Sequence, residues 1–333
     1  MAFRAKSKAR LTGELAQLVR RYRSFDLYAV DSILHPRFFS EVAPELAGLG
    51  TTYRLFYEIK ANLTREQVRA LQASGVRHVQ PGIESLSSAV LTLMRKGTRA
   101  TTNVNLLRWC RYYGIKVYWN MLWGFPGEAQ EHYDEQAALI PRLRHLQPPI
   151  KAGPIAVQRF SPLFEDRTSF PASRLEPSEA LKYVYPDHVN LHRAAYDFEY
   201  AWPNSLQSDA YAAVRSETDA WREAWTGDTL PSLTFWWSPG LLQIEDARRE
   251  VGRGTHTFEG PLALIYLACS ESATSVEKVR RDLGLPYSAA EIAVALDEFC
   301  DRGLMMQDGE HYLSLALPAT GGLPWCDDRA PKA

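Results

Sequence analysis

The sequence predicts an α/β fold: a run of parallel βα steps followed by a small α+β unit of the winged-helix kind. Three observations carry this. Strand-like segments recur near residues 26, 53, 76, 115 and 155 with helical patterns between them, and strands that alternate with helices must pair in parallel, the helix carrying the chain back. Two of these strands, residues 76–81 and 115–122, end in glycine-bearing turns that carry a glutamate, Gly82-Ile83-Glu84-Ser85 and Gly124-Phe125-Pro126-Gly127-Glu128. Residues 260–316 show three helical patterns and then a hairpin, the order of a winged helix.

Taken in order, residues 8–22 form a helix with Leu11, Leu15, Leu18 and Val19 on one side, preceded by a solvated basic stretch. A strand over 26–30 ends at Asp31-Ser32, and Pro36 suits the first turn of the next helix. The strand over 53–59 ends in Lys60-Ala61-Asn62, after which Thr64 and Gln67 form a capping box and Gly75 stops the helix. Beyond Glu128 a helix runs to about His145, and a fifth strand is expected over 155–160. The right-handed crossover rule puts the carboxyl ends of these strands on one rim, where parallel sheets and barrels bind ligands. Asp31, Lys60, Glu84, Gly124, Glu128 and Arg159 are therefore expected at one mouth.

Residues 191–200 and 209–225 read as amphipathic helices, and 234–237 as a short strand before Pro239-Gly240. Trp221, Trp225 and Trp236 offer either core packing or a substrate surface. The domain reading is a barrel over 1–165, a mixed helical and irregular wrap over 166–259, the winged-helix-like unit over 260–317 and a disordered tail over 318–333.

Composition narrows the function. The chain has 333 residues, 46% hydrophobic and 23% charged, with a net charge of −1, which argues against a whole-protein field for nucleic acid or anionic membrane. No apolar run approaches ~18 residues, so no spanning helix is expected. Within 260–316 there are four basic and nine acidic residues, 4 − 9 = −5, the wrong sign for a module that displaces counterions from phosphate. Cys110, Cys269, Cys300 and Cys326 are scattered without CxxC spacing, which suggests buried thiols in a reducing cytoplasm and no metal ligand set.

At Gly82-Ile83-Glu84-Ser85, with Val90-Leu91 and Met94-x-Lys96-Gly97 after it, and again over 120–128, the sequence resembles radical S-adenosylmethionine (SAM) enzymes. It is similar in particular to those that mature ribosomally made (RiPP) peptides, often with an amino-terminal cobalamin-binding domain. Residues 3–7, 56–63, Gln80-Pro81-Gly82 and Phe198-Glu199-Tyr200 add to the likeness, which covers most of residues 3–200. The resemblance implies a partial (β/α)6 barrel of the radical SAM type, here lacking its first strand, with SAM across the carboxyl ends of its strands. Carried over position by position, Asp31 and Ser32 meet the SAM amino group, and Glu84 and Ser85 its methionine or ribose part. Trp123, Gly124 and Phe125 approach adenine, Arg159 lies near the SAM carboxylate, and Lys60 sits at the same mouth. Each has a plainer reading: Glu84 as a cap for the next helix, Glu128 as a first-turn carboxylate favoured by the helix dipole, Arg159 as a partner for a neighbouring acid.

One departure from the family is large. Its members hold a [4Fe–4S] cluster with three closely spaced cysteines, since a soft, low-potential cluster needs thiolates, and no such trio occurs here. The reading is therefore of an amino-terminally truncated radical SAM peptide-maturation enzyme. Complete members use SAM, the cluster and, in some, cobalamin through an N-terminal domain to modify a precursor peptide, C-methylation included. As written the chain is expected to be inactive in radical chemistry. The alternative is a non-catalytic SAM- or peptide-binding scaffold. DNA-binding regulation has the acidic winged helix against it, and no Ser/His/Asp arrangement supports a hydrolase. The resemblance implies a precursor peptide as partner and no nucleic acid or membrane.

Overall fold

Along the early strands every second residue is apolar, so each strand must bury one face against helices and leave the other open. Over Arg54–Ile59 it is Leu55, Tyr57 and Ile59 that are buried, while Arg54, Phe56 and Glu58 are not. The computed structural model describes residues 6–30, 33–249 and 253–319. The chain begins with α1 (Lys8–Tyr22) and β1 (Asp26–Tyr28), and a π-type turn at Phe38–Val42 runs into α2 (Ala43–Gly48). Then come β2 (Arg54–Ile59), α3 (Arg65–Ala73), β3 (Val76–Pro81), α4 (Ser88–Leu93) and α5 (Ala100–Tyr112). The short strands β4 (Lys116–Val117) and β5 (Asn120–Trp123), helix α6 (Gln130–Leu143) and β6 (Lys151–Pro154) complete this part.

Strands β1 to β4 make a parallel sheet in sequence order, and β5 pairs in parallel with β6. A parallel bridge from Glu84 to Met121 joins the end of β3 to β5, so the two sheets continue one wall. The expected α/β architecture with parallel strands is thus observed. Among the described residues the wall does not close into a ring, since β1 has β2 as its one strand neighbour. The local signals hold where they are strongest. Thr64 and Gln67 form the capping box of α3. Gly75 ends the turn after it at φ +90, where a Cβ would stand 2.9 Å from the Tyr53 carbonyl oxygen, so the position requires glycine.

The middle of the chain holds β7 (Val157–Gln158), α7 (Pro162–Glu165), β8 (Arg174–Pro177), α8 (Leu191–Ala194), β9 (Asp197–Ala201) and α9 (Ala212–Glu223). Two expectations fail here. The fifth parallel strand occupies Lys151–Pro154, not 155–160, because parallel pairing with β5 ends where Ile155 N–H donates to Trp123 O (2.8 Å). Val157 and Gln158 instead pair antiparallel with β9. The helix expected over 191–200 is a single turn, after which residues 197–201 become the middle strand of the β7-β9-β8 sheet. Ladders on both sides outweigh a helical pattern that packs nothing else.

The remainder comprises β10 (Ser232–Ser238), β11 (Leu241–Ala247), β12 (Gly254–Glu259), α10 (Gly260–Ala268) and β13 (Thr274–Ser275). It continues with α11 (Val276–Leu283), α12 (Ala289–Asp301), β14 (Met305–Asp308), β15 (His311–Ser314) and β16 (Leu317–Pro318). Helices α10 to α12 with the β13-β15-β14 sheet form the expected winged-helix-like unit. Past Ser314 the chain leaves that sheet, and β16 joins β10.

One apolar core runs from the wall into the winged helix, and a smaller one gathers Ile155, Val157, Leu163, Phe170 and Trp202. Between wall and winged helix lies Arg108 of α5, fully buried. Its guanidinium donates to the carbonyls of Leu315 (3.3 Å), Ala316 (2.9 Å) and Ser270 (3.0 Å) and to Asn105 Oδ1 (2.7 Å). At the wing tip, Asp308 accepts from Ser88 Oγ (2.6 Å) and Thr101 Oγ1 (3.4 Å). Among the described residues no helix is long and apolar enough to cross a membrane.

Candidate ligand-binding cleft

A cleft of about 460 Å³ opens at the carboxyl ends of β2, β3 and the β4–β5 segment, lined by Glu58, Lys60, Asn62, Gln80, Glu84 and Lys96 among others. Parallel strands of one hand deliver these residues there because each βα turn begins at the same rim. Tyr118, at the break between β4 and β5, is part of the lining, while the Trp119 ring beside it is buried against Trp221.

Glu84 stands at φ +57, unusual for a residue other than glycine. The turn is locked from behind: buried Asn103 on α5 donates through Nδ2 to the carbonyls of Ile83 (3.1 Å) and Ser85 (3.0 Å). Ser85 is itself buried and donates through Oγ to Gln136 Oε1 of α6 (3.0 Å). Ser87, not Glu84, caps α4. The Glu84 carboxylate is thus free for the cleft, where it meets Lys96 Nζ at 2.7 Å, each side chain 30% exposed. This pair keeps its water contact, so a ligand ammonium can displace the lysine and a ligand carboxylate can recruit it at modest desolvation cost.

Of the residues named from the sequence, Lys60 and Glu84 meet at this cleft. Asp31 and Ser32 lie outside the described residues; the adjacent Ile33 is part of the lining. Trp123, Gly124 and Phe125 are not in the lining. Trp123 is buried and stacks on Tyr211 (5.5 Å), and Phe125 meets Phe170 edge-on (5.7 Å). Gly124 N–H donates to Glu128 Oε2 (2.9 Å), which also accepts from Tyr211 (3.1 Å), so Glu128 braces its own turn. Arg159 donates to the carbonyls of Ala195 (2.7 Å) and His192 and lies between Phe164 and Phe198, with no acid as partner among the described residues. Of the three tryptophans, Trp221 is fully buried, Trp225 partly, and Trp236 exposed.

Sequence reasoning missed Lys96, Asn103 and Gln136 as parts of the site. Lys96 lies within a motif quoted above, but nothing local says that its amine turns back to Glu84. Asn103 and Gln136 read as ordinary helix residues until the turn is seen packed on them.

The three described cysteines are not in the lining of the cleft. Cys110 (α5), Cys269 (after α10) and Cys300 (α12) are buried and free. Burial pushes the Cys110 thiol far above its ordinary range and those of Cys269 and Cys300 up to about 12. Such thiols are poor ligands, since metals take the thiolate. Cys326 lies outside the described residues, among which no three His, Cys, Asp or Glu side chains are grouped to hold a metal ion. The described residues therefore do not fit an iron–sulfur cluster.

Parallel strands with a polar cleft across their carboxyl ends define an α/β ligand-binding protein of the barrel or open-sheet class. One comparison is more particular: residues 3–140 match the family model described as the Radical SAM superfamily. Among solved structures the chain is similar to the radical S-adenosylmethionine methyltransferase TsrM from Kitasatospora setae with cobalamin and a [4Fe–4S] cluster bound. Identity is 17%, coverage 64% of this chain and 47% of that one, and the TM-score 0.49. It is similar also to the cobalamin-dependent S-adenosylmethionine radical enzyme OxsB (16% identity, 50% and 27% coverage, TM-score 0.37). A third is the coproporphyrinogen III oxidase HemN from Escherichia coli (12% identity, 91% and 78% coverage, TM-score 0.34). The chain spans 27% and 47% of the lengths of OxsB and TsrM. Among curated proteins no sequence matches this chain.

Proposed function

We propose that the cleft binds S-adenosylmethionine and that the chain is the SAM-binding part of a cytoplasmic enzyme system that modifies a ribosomally made precursor peptide, with C-methylation as one outcome. The observation that carries the reading is Glu84, projected from a locked left-handed turn into a cleft at the strand ends and faced there by Lys96. A carboxylate beside a movable ammonium suits a zwitterionic amino-acid moiety, while Asn62 and Gln80 suit ribose hydroxyls and Tyr118 a flat base. SAM would supply the adenosyl and methyl chemistry. The residues present here bind and orient it.

The peptide part of the reading rests on the sequence resemblance and on the acidic winged helix, whose charge of 4 − 9 = −5 favours a polypeptide partner over nucleic acid. Because the described thiols are buried and hard to ionise and no three metal-ligating side chains are grouped among the described residues, a second reading stands beside the first: a scaffold that binds SAM or peptide without radical chemistry of its own. Titration calorimetry with SAM tests the cleft, and absence of heat with folded protein would sink it. Anaerobic iron–sulfide reconstitution followed by absorbance separates the two readings, since a scaffold takes up no cluster.

A further inference from the structure

We infer that Arg95 is a positioning residue for the cleft: anchored to Asp166 and Phe170, it holds Lys96 against Glu84 and so couples ligand binding to the 162–170 segment. This rests on the reading of the cleft as a SAM site.

Helix α4 ends with Arg95 N–H donating to Thr92 O (3.0 Å) and Lys96 N–H to Leu91 O (3.0 Å), which puts Arg95 at φ +55. Helix ends of this form favour glycine at the left-handed position, because a Cβ there crowds the backbone. Arg23 takes the same conformation at the end of α1, so side-chain contacts are what set Arg95 apart. Arg95 Nη1 donates to Asp166 Oδ2 (3.3 Å), and the guanidinium lies 5.0 Å over the ring of Phe170.

That platform is itself firm. Asp166 accepts from Ser169 N–H (2.9 Å), and its carboxyl is held below the usual range by Ser169 first and Arg95 after it. Phe170 belongs to the smaller apolar core. On the other side of Arg95 the chain enters the cleft at once. Lys96 pairs with Glu84, and Gly97 and Thr98 are in the lining. Thr98 Oγ1 is buried without a hydrogen-bond partner among the described residues, a polar atom that a ligand in the cleft can satisfy. Arg95 therefore links the 162–170 segment to the cation at the site.

Arg95→Gly separates positioning from mere capping, because the two roles give opposite signs. Glycine relieves the backbone and removes the tether. The expected result is a melting temperature equal to or above that of the wild type, with SAM binding by calorimetry weakened about three- to tenfold. Asp166→Asn, which keeps the turn at Ser169, should weaken SAM binding to the same extent, and the double variant should bind no more weakly than either single one. Arg95→Gly binding SAM as tightly as wild type, or additive losses in the double variant, overturns the proposal. Should the glycine variant melt below wild type, Arg95→Asn, which tolerates the left-handed conformation, gives the same reading. A folded wild type that binds no SAM refutes the cleft reading and this proposal together. A wild type that binds while Arg95→Gly is unimpaired refutes this proposal alone.

Discussion

Two cations on the same stretch of chain meet opposite fates. Arg108 is fully buried, and four oxygen acceptors, three of them main-chain carbonyls, use its donors. Burial lowers its pKa to about 10, so it remains charged at neutral pH. Lys96 has one carboxylate partner at 2.7 Å and keeps 30% of its side chain in water. A saturated, dry cation fastens parts of a fold together, since any change strands several polar groups at once. An unsaturated, half-wet one can exchange partners cheaply, as a binding site requires. The pair thus separates the structural seam between wall and winged helix from the rim where chemistry belongs.

The comparison is most directly broken at Arg108. Replacing it with leucine removes the arginine donors from the Leu315, Ala316 and Ser270 carbonyls, of which Leu315 O keeps His145, and is expected to destabilise the protein by about 3–5 kcal/mol in urea unfolding. A loss under about 1 kcal/mol would mean that the seam is not held this way. At the rim the expectation is reversed. Glu84→Gln should leave the unfolding midpoint nearly unchanged yet weaken SAM binding about 10- to 100-fold by calorimetry. Equal losses of stability and affinity would make Glu84 a structural residue like Arg108.

His145 sharpens the seam further. It is fully buried with Nε2 against Leu315 O (2.9 Å), and burial first, then Arg248 and Arg108, lowers its pKa to about 3. The folded state thus stays neutral where the unfolded chain takes up a proton. Its contribution is fully present above the unfolded pKa of about 6.5 and is lost as pH falls toward 3, by up to about 1.4 kcal/mol per pH unit. Stability measured from pH 7 to 4 should fall less steeply in His145→Gln, and parallel curves would remove His145 from the account. The smallest effect is expected far from both regions. Thr64→Ala, which opens the capping box of α3, should cost about 1 kcal/mol and leave SAM affinity untouched.

Much of the architecture was legible from residue pattern. The bounds of α1, the capping box at Thr64 and Gln67, the stop at Gly75 and the three helices of the winged-helix unit are set by contacts within a few residues. Such local energies are written in the chain itself. The parallel pairing of the early strands followed too, because helices between them carry the chain back. Of the site, Lys60 and Glu84 were legible as residues at strand ends.

What failed had distant causes. Residues 197–201 carry a helical pattern and yet form a strand, because β7 and β8 flank them. Trp123 and Phe125 lie in a turn expected to approach a ligand through backbone atoms, and it is the fold that engages their side chains with Tyr211 and Phe170. The amino-acid order by itself determined the helices with local caps and stops and placed the turn at Glu84 on the rim, since those depend on neighbours along the chain. Only the tertiary structure decided that Lys96 rather than Arg159 faces the cleft and that Arg108 is sealed. Each of these is a meeting of side chains whose separation in sequence carries no record of their distance in space.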